Sequence, residues 1–513
     1  MKLKSNDRFA WIRSRPLHPL VLAIYPILAL LAANFSEVSL SAAVRPLAFS
    51  ILALVILILM FQWFVQDWKR AALISSVILI LFYSYGHLYI LMKGINLDGF
   101  YLFRHRTLIP ILAIAGLLIL WWLLRTPNRV SLVTSVLNAS CLYLLFLSCY
   151  QLVSFVWQSR TSGTAVDEEI TALDLKLGSN PPDIYYIILD GYGRSDVLKN
   201  EYGYDNSDFL NTLENMGFYV AECSQSNYAQ TQLSLSSSLN FDYIDTLSDR
   251  FVPGMDDRTG LDALIKHGVI QQSLEASGYK TVAFATGFLL SEWYDADYYL
   301  APELDVGELN EFERLLLQTT FARVIQDFQS LGIEDTGSEL FRRRTLFALD
   351  KLDKLTYIRE PKFVFVHLIV PHPPYVFGAT GGPVAPEDIG STRSENNIIR
   401  YRDQVEFISS RMQEILPKII ANSERPPVIL LQSDHGPTIP GSPSIRMKNL
   451  SAYYVPGANI PLYPTITPVN SFRMIFNGYF GQNLPLLQDV SLYSNYDDPF
   501  SYKIIPNTCD SNP

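Results

Sequence analysis

Five long apolar runs fill the first 157 residues, and they constrain this chain more than any other feature of its sequence. The runs cover roughly residues 19–36, 46–66, 71–92, 108–124 and 132–157. Each is long enough for a membrane-spanning helix, which needs about 20 apolar residues. Four more runs follow the first, and no clear small-residue cleavage site ends it, so it is not a removable signal peptide. We therefore predict a five-helix transmembrane domain over residues 1–157.

Basic residues lie unevenly on the two sides of these predicted spans. One side carries nine of them: Lys2, Lys4, Arg8, Arg13, Arg15, Lys69, Arg70, Arg125 and Arg129. The other side carries four: Arg45, Lys93, Arg104 and Arg106. The positive-inside rule assigns the richer side to the cytoplasm. Because the number of spans is odd, the chain after Trp157 is predicted to be extracytoplasmic, in an integral, multi-pass cell membrane protein.

Charge divides the chain into two parts with different partners. Residues 1–160 contain 14 Lys or Arg and 4 Asp or Glu, whereas the remainder contains 26 and 46. Nucleic-acid binding depends on clustered basic side chains, so the acidic second part argues against it. Only His87 is ionisable well inside an apolar run, whereas transporters bury several such groups. We interpret the membrane part as an anchor that also holds a lipid substrate.

The chain after the spans has the pattern of an α/β protein. Residues 158–182 are polar and end in two prolines, which predicts a juxtamembrane linker. Apolar runs at 183–189, 279–284, 362–368 and 427–433 then alternate with helical patterns near 206–216, 259–276, 308–330, 338–356 and 396–421. This alternation predicts an α/β sandwich around a mainly parallel sheet over residues 183–513. Active sites of such sheets lie beyond the carboxyl ends of the strands.

Carboxylate and imidazole side chains follow two of these predicted strands. Asp190 leaves the run at 183–189 into a glycine-containing turn, and Asp434 with His435 leaves the run at 427–433 in the same way. Mixed oxygen and nitrogen ligands suit Zn²⁺ or Mn²⁺. An ordinary Asp-Gly turn is the alternative for Asp190 alone. The two motifs together favour a metal site.

Two further motifs could act on an anion beside such a metal. Thr231 opens a run rich in small hydroxyl residues that predicts a helix start, where it is either a capping residue or a nucleophile. His372 lies between prolines just beyond the strand that contains His367, so it is either part of a rigid loop or a phosphate contact and proton donor. We interpret His367 as a core residue.

The order Asp190, Thr231, His372, Asp434-His435 resembles the sulfatase-like branch of the alkaline phosphatase superfamily. In overall build the chain resembles the membrane-anchored lipoteichoic acid synthases and lipid A phosphoethanolamine transferases. The resemblance implies that Asp190, Thr231, Asp434 and His435 hold one divalent metal ion, Mn²⁺ or Zn²⁺. It also implies that Thr231 is the nucleophile and His372 contacts the substrate. The implied activity is transfer of a substituted phosphoryl group from a phospholipid donor to a glycan or lipid acceptor at the cell envelope.

Departures from the family patterns reduce the number of reactions that this chain is expected to catalyse. The stretch that begins at Thr231 lacks the Cys or Ser that classical sulfatases convert to formylglycine. Few histidines follow Thr231, which favours one metal over two. Trp293 matches a substrate-contacting Trp of the lipoteichoic acid synthases, but the accompanying His and Arg are missing. We therefore expect a small head group, such as one carrying ethanolamine, rather than a growing phosphoglycerol chain.

Two other readings of the chain remain open at this point. The same site could belong to a hydrolase of phosphate diesters or sulfate esters, with water as the acceptor. The fold could also be retained for binding alone. Cys223 and Cys509 could pair in an oxidising compartment, and their spacing leaves that open.

The topology gives a first testable prediction. A protease added to intact cells or spheroplasts should release the catalytic domain by cleavage near residues 158–182, because that linker is predicted to be outside the cytoplasm. The released fragment would be detected by antibody against the C-terminal half. A domain that is protected until the membrane is permeabilised would contradict the topology.

Overall fold

The computed structural model describes residues 15–34, 40–92, 95–97, 100–101, 104–126, 129–167, 172–255, 257–303, 309–327, 336–384 and 394–509. Lys2, Lys4, Arg8, Arg13 and Lys93, which contribute to the charge argument above, lie outside the described residues.

Helices form both the apolar and the polar parts of the chain. They are α1 (His18–Ala33), α2 (Val44–Val65), α3 (Trp68–Met92), α4 (His105–Arg125), α5 (Val130–Asp167), α6 (Ser195–Tyr202), α7 (Ser207–Asn215), α8 (Thr231–Leu239), α9 (Ile244–Leu247), α10 (Thr259–Lys266), α11 (Val269–Ala276), α12 (Glu311–Thr319), α13 (Arg323–Asp327), α14 (Thr336–Leu352), α15 (Ser394–Asn422), α16 (Pro443–Met447) and α17 (Pro468–Tyr479). Short 3₁₀ helices lie at Leu40–Ala43, Leu289–Ser291 and Asp353–Tyr357.

Strands belong to one large sheet and two hairpins. The sheet strands are β1 (Ile184–Leu189), β2 (Tyr219–Val220), β3 (Lys280–Phe284), β4 (Tyr298–Leu300), β5 (Lys362–Leu368), β6 (Val428–Gln432) and β7 (Ser451–Tyr454). A C-terminal hairpin pairs β8 (Ser491–Asn495) with β9 (Asp498–Ile505), and a small hairpin pairs Asn96–Leu97 with Phe100–Tyr101.

Four of the apolar helices are long and apolar enough to cross a membrane, counted over the described residues. These are α2, extended at its start by the 3₁₀ turn at Leu40–Ala43, and α3, α4 and α5. The first predicted span corresponds to α1, an apolar helix of 16 residues, which is shorter than the roughly 20 residues of a typical span. Helix α5 continues to Asp167, beyond the predicted end of the last run. The number of five spans stays a prediction.

The chain divides into two compact units. One comprises Met1–Trp157 with Asp305–Gly337, and the other comprises Gln158–Leu304 with Ser338–Pro513. Sequence order alone assigns the segment at 305–337 to the catalytic domain, yet its contacts are with the apolar helices. Glu313 pairs with Arg45, and the Phe321 N–H donates to the carbonyl of Phe82 at 2.8 Å. The predicted domain boundaries at 157 and 182 themselves remain predictions.

The second unit is built on a seven-stranded sheet in the order β2-β7-β6-β1-β5-β3-β4. The strands β6, β1, β5, β3 and β4 are mutually parallel. The strand β7 pairs antiparallel with β6 and with β2, so the edge strand β2 runs in the same direction as the parallel strands. All six residues of β1 are buried. Tyr185, Ile187 and Leu189 join the core on one face, and Ile184, Tyr186 and Ile188 join the core on the other. A strand buried on both faces needs helices on both sides, and the predicted α/β sandwich with a mainly parallel sheet is confirmed.

The long predicted strands lie where the apolar runs placed them, within one residue at each end. The strands β2 and β4 have two and three residues and carry too little alternation to be recognised. The predicted helix at 259–276 is two helices, because the chain bends between α10 and α11 at Gly268.

A disulfide joins Cys223 and Cys509, which are 286 residues apart in sequence. It ties the segment after β9 to the segment after β2, so the C-terminal end of the described chain is held against the sheet domain. Disulfides persist in oxidising compartments. The pairing that the sequence left open is therefore formed, and it agrees with an extracytoplasmic location of this unit.

Candidate active site

Three neighbouring parallel strands deliver the predicted site residues to one edge of the sheet. Asp190 directly follows β1, Asp434 follows β6, and His372 follows β5. The loops are tied together by backbone hydrogen bonds: the Asp190 N–H donates to the Leu368 carbonyl at 2.9 Å, and the His372 N–H donates to the Asp190 carbonyl at 3.0 Å. Because β1 lies between β5 and β6, the three carboxyl ends meet as the sequence predicts.

Two glycines permit the turns that bring these side chains together. Gly191 has a φ of +73°, and its N–H donates to Oδ1 of Asp434 at 3.1 Å. At Gly436 a Cβ atom would lie 2.4 Å from the carbonyl oxygen of Lys448, so no side chain fits there. Gly191 therefore permits the turn after Asp190, and Gly436 permits the close approach of the Lys448 backbone just after Asp434 and His435.

Asp190, Asp434 and His435 converge on one buried point. One ligand atom from each of the three residues lies within 4.8 Å of the others, and within the described part of the chain they form a group that could hold a metal ion. The His435 Nε2 atom is 3.1 Å from Oδ2 of Asp434 and 3.8 Å from Oδ1 of Asp190.

The unsatisfied polar atoms of this cluster fit a divalent cation. Oδ1 of Asp190, Oδ2 of Asp434 and Nε2 of His367 are buried and have no hydrogen-bond partner. A buried carboxylate oxygen without a partner is costly, and a cation between the two aspartates would satisfy both oxygens. Oxygen and imidazole ligands are those that Zn²⁺ and Mn²⁺ accept. The residues present therefore fit the ion that the sequence predicts.

The two carboxylates respond to burial and to each other. Burial, together with the charge of Asp190, raises the pKa of Asp434 to about 6. Burial also raises the pKa of Asp190, but the charges of His372 and His367 outweigh it, so the net shift is downward. Two adjacent buried carboxylates repel each other, and a bound cation would reduce that repulsion.

His435 is held in the tautomer that metal binding requires. Its Nδ1 is 3.0 Å from the Gly436 carbonyl, and its Nε2 is 2.7 Å from Nη2 of Arg446. Arginine only donates, so Nε2 carries the lone pair and the Nδ1–H donates to the carbonyl. Burial and the charge of Arg446 lower the pKa of His435 well below its usual value, which keeps the ring neutral.

Thr231 presents its hydroxyl to the same point. It is the first residue of α8, and its Oγ1 lies 3.1 Å from Nε2 of His435. The capping interpretation of Thr231 is wrong, because Gln230 occupies the N-cap position and no side chain caps the helix. The helix is fixed against the site because the Ser234 hydroxyl donates to the Asp434 carbonyl at 2.7 Å. The N-terminus of α8 thus lies at the same end of the sheet as the buried cluster, and helix N-termini favour anions.

His372 lies at the open side of the site. Its Nδ1 is 2.7 Å from the Pro373 carbonyl, which leaves Nε2 directed away from the loop. His372 lines a cavity of about 510 Å³ together with Asp190, Thr231, His367 and Arg446. The ring centroids of His372 and His435 are 6.3 Å apart. All of the sequence-predicted site residues therefore lie on or immediately beside one cavity.

Two residues of the site were missed by reasoning from the sequence. His367 is buried, as a core residue should be, but its Nε2 is 3.4 Å from Oδ2 of Asp190, and its Nδ1 is 2.9 Å from Oγ of Ser291. Its position next to the last residue of β5 is the signal that could have found it. Arg446, in α16, donates to His435 from ten residues downstream of Gly436, and no local pattern indicates it.

Trp293 does not take the place that the family resemblance implies. It is fully buried, and its ring stacks on Phe365 in the sheet core, with centroids 4.3 Å apart. It is not among the residues that line the cavity. The match by sequence order therefore pairs a substrate-contacting Trp of the synthases with Trp293, which is a packing residue in this chain.

Comparison with family models and with curated proteins finds no match. Solved structures that are similar include the C-terminal periplasmic domain of EptC from Escherichia coli in complex with Zn, at 11% identity and a TM-score of 0.44, covering 65% of this chain and 96% of that one. The integral membrane lipooligosaccharide phosphoethanolamine transferase A (EptA) from Neisseria meningitidis matches at 12% identity and a TM-score of 0.35, covering 87% and 88%. A protein of the alkaline phosphatase superfamily from Vibrio parahaemolyticus matches at 11% identity and a TM-score of 0.35, covering 66% and 82%.

This chain is similar to members of the alkaline phosphatase superfamily.

The cluster of Asp190, Asp434 and His435 predicts that removal of one carboxylate charge weakens metal binding. Asp434→Asn should weaken binding of Zn²⁺ or Mn²⁺ at least about 100-fold, because the amide keeps the size of the side chain but removes the charge that the cation offsets. Elemental analysis of the full-length protein purified in detergent would measure the bound metal. Asp489→Asn is the matched control, since this carboxylate accepts hydrogen bonds from Thr467 and Asn470 away from the cluster. A fully loaded Asp434→Asn protein would contradict the assignment.

Proposed function

We propose that the protein is a membrane-bound, metal-dependent phosphotransferase of the sulfatase-like type. It moves a substituted phosphoryl group from a phospholipid donor to a glycan or lipid acceptor of the cell envelope through a covalent phospho-Thr231. Asp190, Thr231, Asp434 and His435 are the proposed ligands of one divalent ion, and His372 is the proposed proton donor.

One observation carries this proposal. The Thr231 hydroxyl, at the start of a helix, lies 3.1 Å from Nε2 of His435, whose imidazole belongs to a buried cluster with two unsatisfied carboxylate oxygens. A hydroxyl with no capping role, placed at a cation site, suits a nucleophile better than a structural residue. When bound, the divalent ion would lower the pKa of this hydroxyl and offset negative charge at phosphorus.

The first half of the reaction uses two residues that line the cavity, Thr231 and His372. The deprotonated Oγ1 of Thr231 attacks phosphorus, and the bond from phosphorus to the diacylglycerol oxygen breaks. His372, protonated at Nε2, gives its proton to that leaving oxygen, so that diacylglycerol departs neutral. The N–H groups at the start of α8 face the phosphoryl oxygens and favour their negative charge.

The second half reverses these roles. An acceptor hydroxyl gives its proton to the neutral Nε2 of His372 and attacks the phosphorus of phospho-Thr231. The bond to Oγ1 breaks, and the threonine is restored. A carbohydrate or lipid hydroxyl as acceptor makes the protein a transferase, and water in the same position makes it a hydrolase.

The apolar helices support a phospholipid as the donor. Four helices long enough to span a bilayer precede the catalytic unit, so the proposed enzyme is anchored in a membrane that contains phospholipids. The Cys223–Cys509 disulfide and the distribution of basic residues favour an extracytoplasmic catalytic domain with five spans. We therefore propose a phospholipid of the same membrane as the donor.

A hydrolase of phosphate diesters or sulfate esters is the second candidate function. The residues that bind the metal and carry the nucleophile would be the same in both enzymes. Thr231 favours phosphorus over sulfur, because the formylglycine hydrate of sulfatases releases sulfate by elimination and threonine cannot.

Replacement of Thr231 tests the nucleophile. Thr231→Ala should lower turnover by roughly 1,000-fold or more, while the free energy of unfolding changes little because no capping hydrogen bond is lost. Turnover and thermal unfolding of the purified protein would be measured together. Ser236→Ala is the control on the same helix, since its hydroxyl donates to Gln232 and Leu261 carbonyls and not to the site. Near-normal turnover by Thr231→Ala would assign the attack to another hydroxyl.

Defined phospholipids test the donor. We expect diacylglycerol release from phosphatidylethanolamine, with transfer of the phosphorylated head group to an acceptor, because the chain after residue 160, with 46 acidic and 26 basic residues, would repel a polyanionic phosphoglycerol chain. Thin-layer chromatography of labelled lipids would follow both products. Release from phosphatidylglycerol alone, with polymer formation, would contradict the expected head group. Turnover of a soluble sulfate ester with no lipid cleaved would favour the hydrolase.

A further inference from the structure

Three of the four hydrogen bonds of Arg446 fix the position of its guanidinium group. Its Nε donates to the Ala229 carbonyl at 2.9 Å, and its Nη1 donates to the Gly436 carbonyl at 3.1 Å and to Oγ1 of Thr438 at 2.7 Å. These contacts join the turn before Thr231 to the turn after His435. In the fourth contact, Nη2 donates to a ring nitrogen of His435, which is one of the proposed metal ligands.

That fourth contact uses the lone pair that a metal needs. Nε2 of His435 accepts from Nη2 of Arg446 at 2.7 Å, and the other ring nitrogen donates to the Gly436 carbonyl. One lone pair cannot both accept a hydrogen bond from arginine and bind a cation. Binding of a divalent ion by His435 therefore removes the acceptor of Nη2 while the other three contacts still hold the guanidinium in place.

The freed donor faces the cavity that contains the nucleophile. Arg446 and Thr231 line the same cavity. The carboxylates that offset the charge of Arg446 are Asp434 and Asp190, the same two that a divalent ion would neutralise. With the ion bound, the guanidinium is left as an excess positive charge next to Thr231, and a singly charged phosphate diester would balance it.

We infer that Arg446 exchanges partners: it donates to His435 when no metal is bound, and to a phosphoryl oxygen of the substrate when the metal is bound. Arg446 therefore couples the two binding events, so that each ligand raises the affinity for the other. This inference rests on the proposed function only in placing a divalent ion on His435 and a phosphate ester at Thr231.

The exchange predicts a result opposite to that of a structural role. Arg446→Met removes a competing donor and a positive charge, so metal binding without phosphate should become roughly tenfold tighter. The same change should remove most of the increase in metal affinity caused by inorganic phosphate, which we expect to be about 10-fold or more in the unaltered protein. If Arg446 only held the two turns together, Arg446→Met would weaken metal binding instead.

The experiment is a chelator-buffered Zn²⁺ titration of the full-length protein in detergent, with and without inorganic phosphate. Arg446→Lys serves as a second variant, because it keeps the charge but lacks the planar fork; it should show a smaller gain in metal affinity and a weakened phosphate effect. Arg473→Lys is the matched control, since Arg473 also donates to carbonyl oxygens, those of Phe241 and Pro485, away from the cluster. It should bind Zn²⁺ as the unaltered protein does.

The outcomes separate this inference from the proposed function. Weaker metal binding by Arg446→Met, or a phosphate effect that survives the substitution, would overturn the exchange even if lipid turnover is confirmed. Tighter metal binding together with a lost phosphate effect would support it even if no lipid is cleaved, and the proposed lipid donor alone would then fail. Absence of Zn²⁺ binding by the unaltered protein would overturn both.

Discussion

Two carboxylates buried side by side are the constraint on which the rest of the catalytic unit depends. Asp190 and Asp434 leave neighbouring parallel strands at the same level, and each has one oxygen without a hydrogen-bond partner. Two adjacent buried carboxylates of this kind are unfavourable. A bound cation would offset both charges.

The scaffold keeps the two carboxylates in place through short, rigid connections. The Gly191 N–H holds one oxygen of Asp434, and the Ser433 hydroxyl accepts from the Tyr192 N–H at 2.9 Å and donates to the His435 carbonyl at 2.5 Å. The helix α8 is fixed to the same strand end through Ser234. Because both turns and the helix share hydrogen bonds, the proposed nucleophile and the proposed metal ligands are held together.

The hydrogen bonds of His435 connect metal binding to substrate binding. One ring nitrogen is committed to a backbone carbonyl, and the other is shared among Thr231, Arg446 and the proposed ion. Thr231, which is proposed to attack phosphorus, and Arg446, which is inferred to bind the phosphoryl oxygens, therefore contact the same lone pair of His435. The site does not need a large movement to change state, since exchange of one hydrogen-bond acceptor is sufficient.

Sequence alone determined the parts of this protein that depend on local pattern. Apolar runs predicted the apolar helices, four of which, among the described residues, are long and apolar enough to span a membrane. Apolar runs that alternate with helical patterns predicted the long parallel strands within one residue of their ends. The polar residues that follow those strands gave Asp190, His372, Asp434 and His435, because the ends of parallel strands meet at one edge wherever the strands are neighbours.

Tertiary structure alone decided what depends on neighbours distant in sequence. The burial of His367 is the same for a core residue and for a residue of the site, and only its 3.4 Å approach to Asp190 distinguishes the two. The same holds for Trp293, whose ring stacks on Phe365, and for Glu313, which pairs with Arg45 among the apolar helices. Arg446 and Thr231 meet His435 only after α16 and α8 pack at the sheet edge. Local pattern records which face of an element is apolar, but the partner that covers that face is set by the packing of the whole chain.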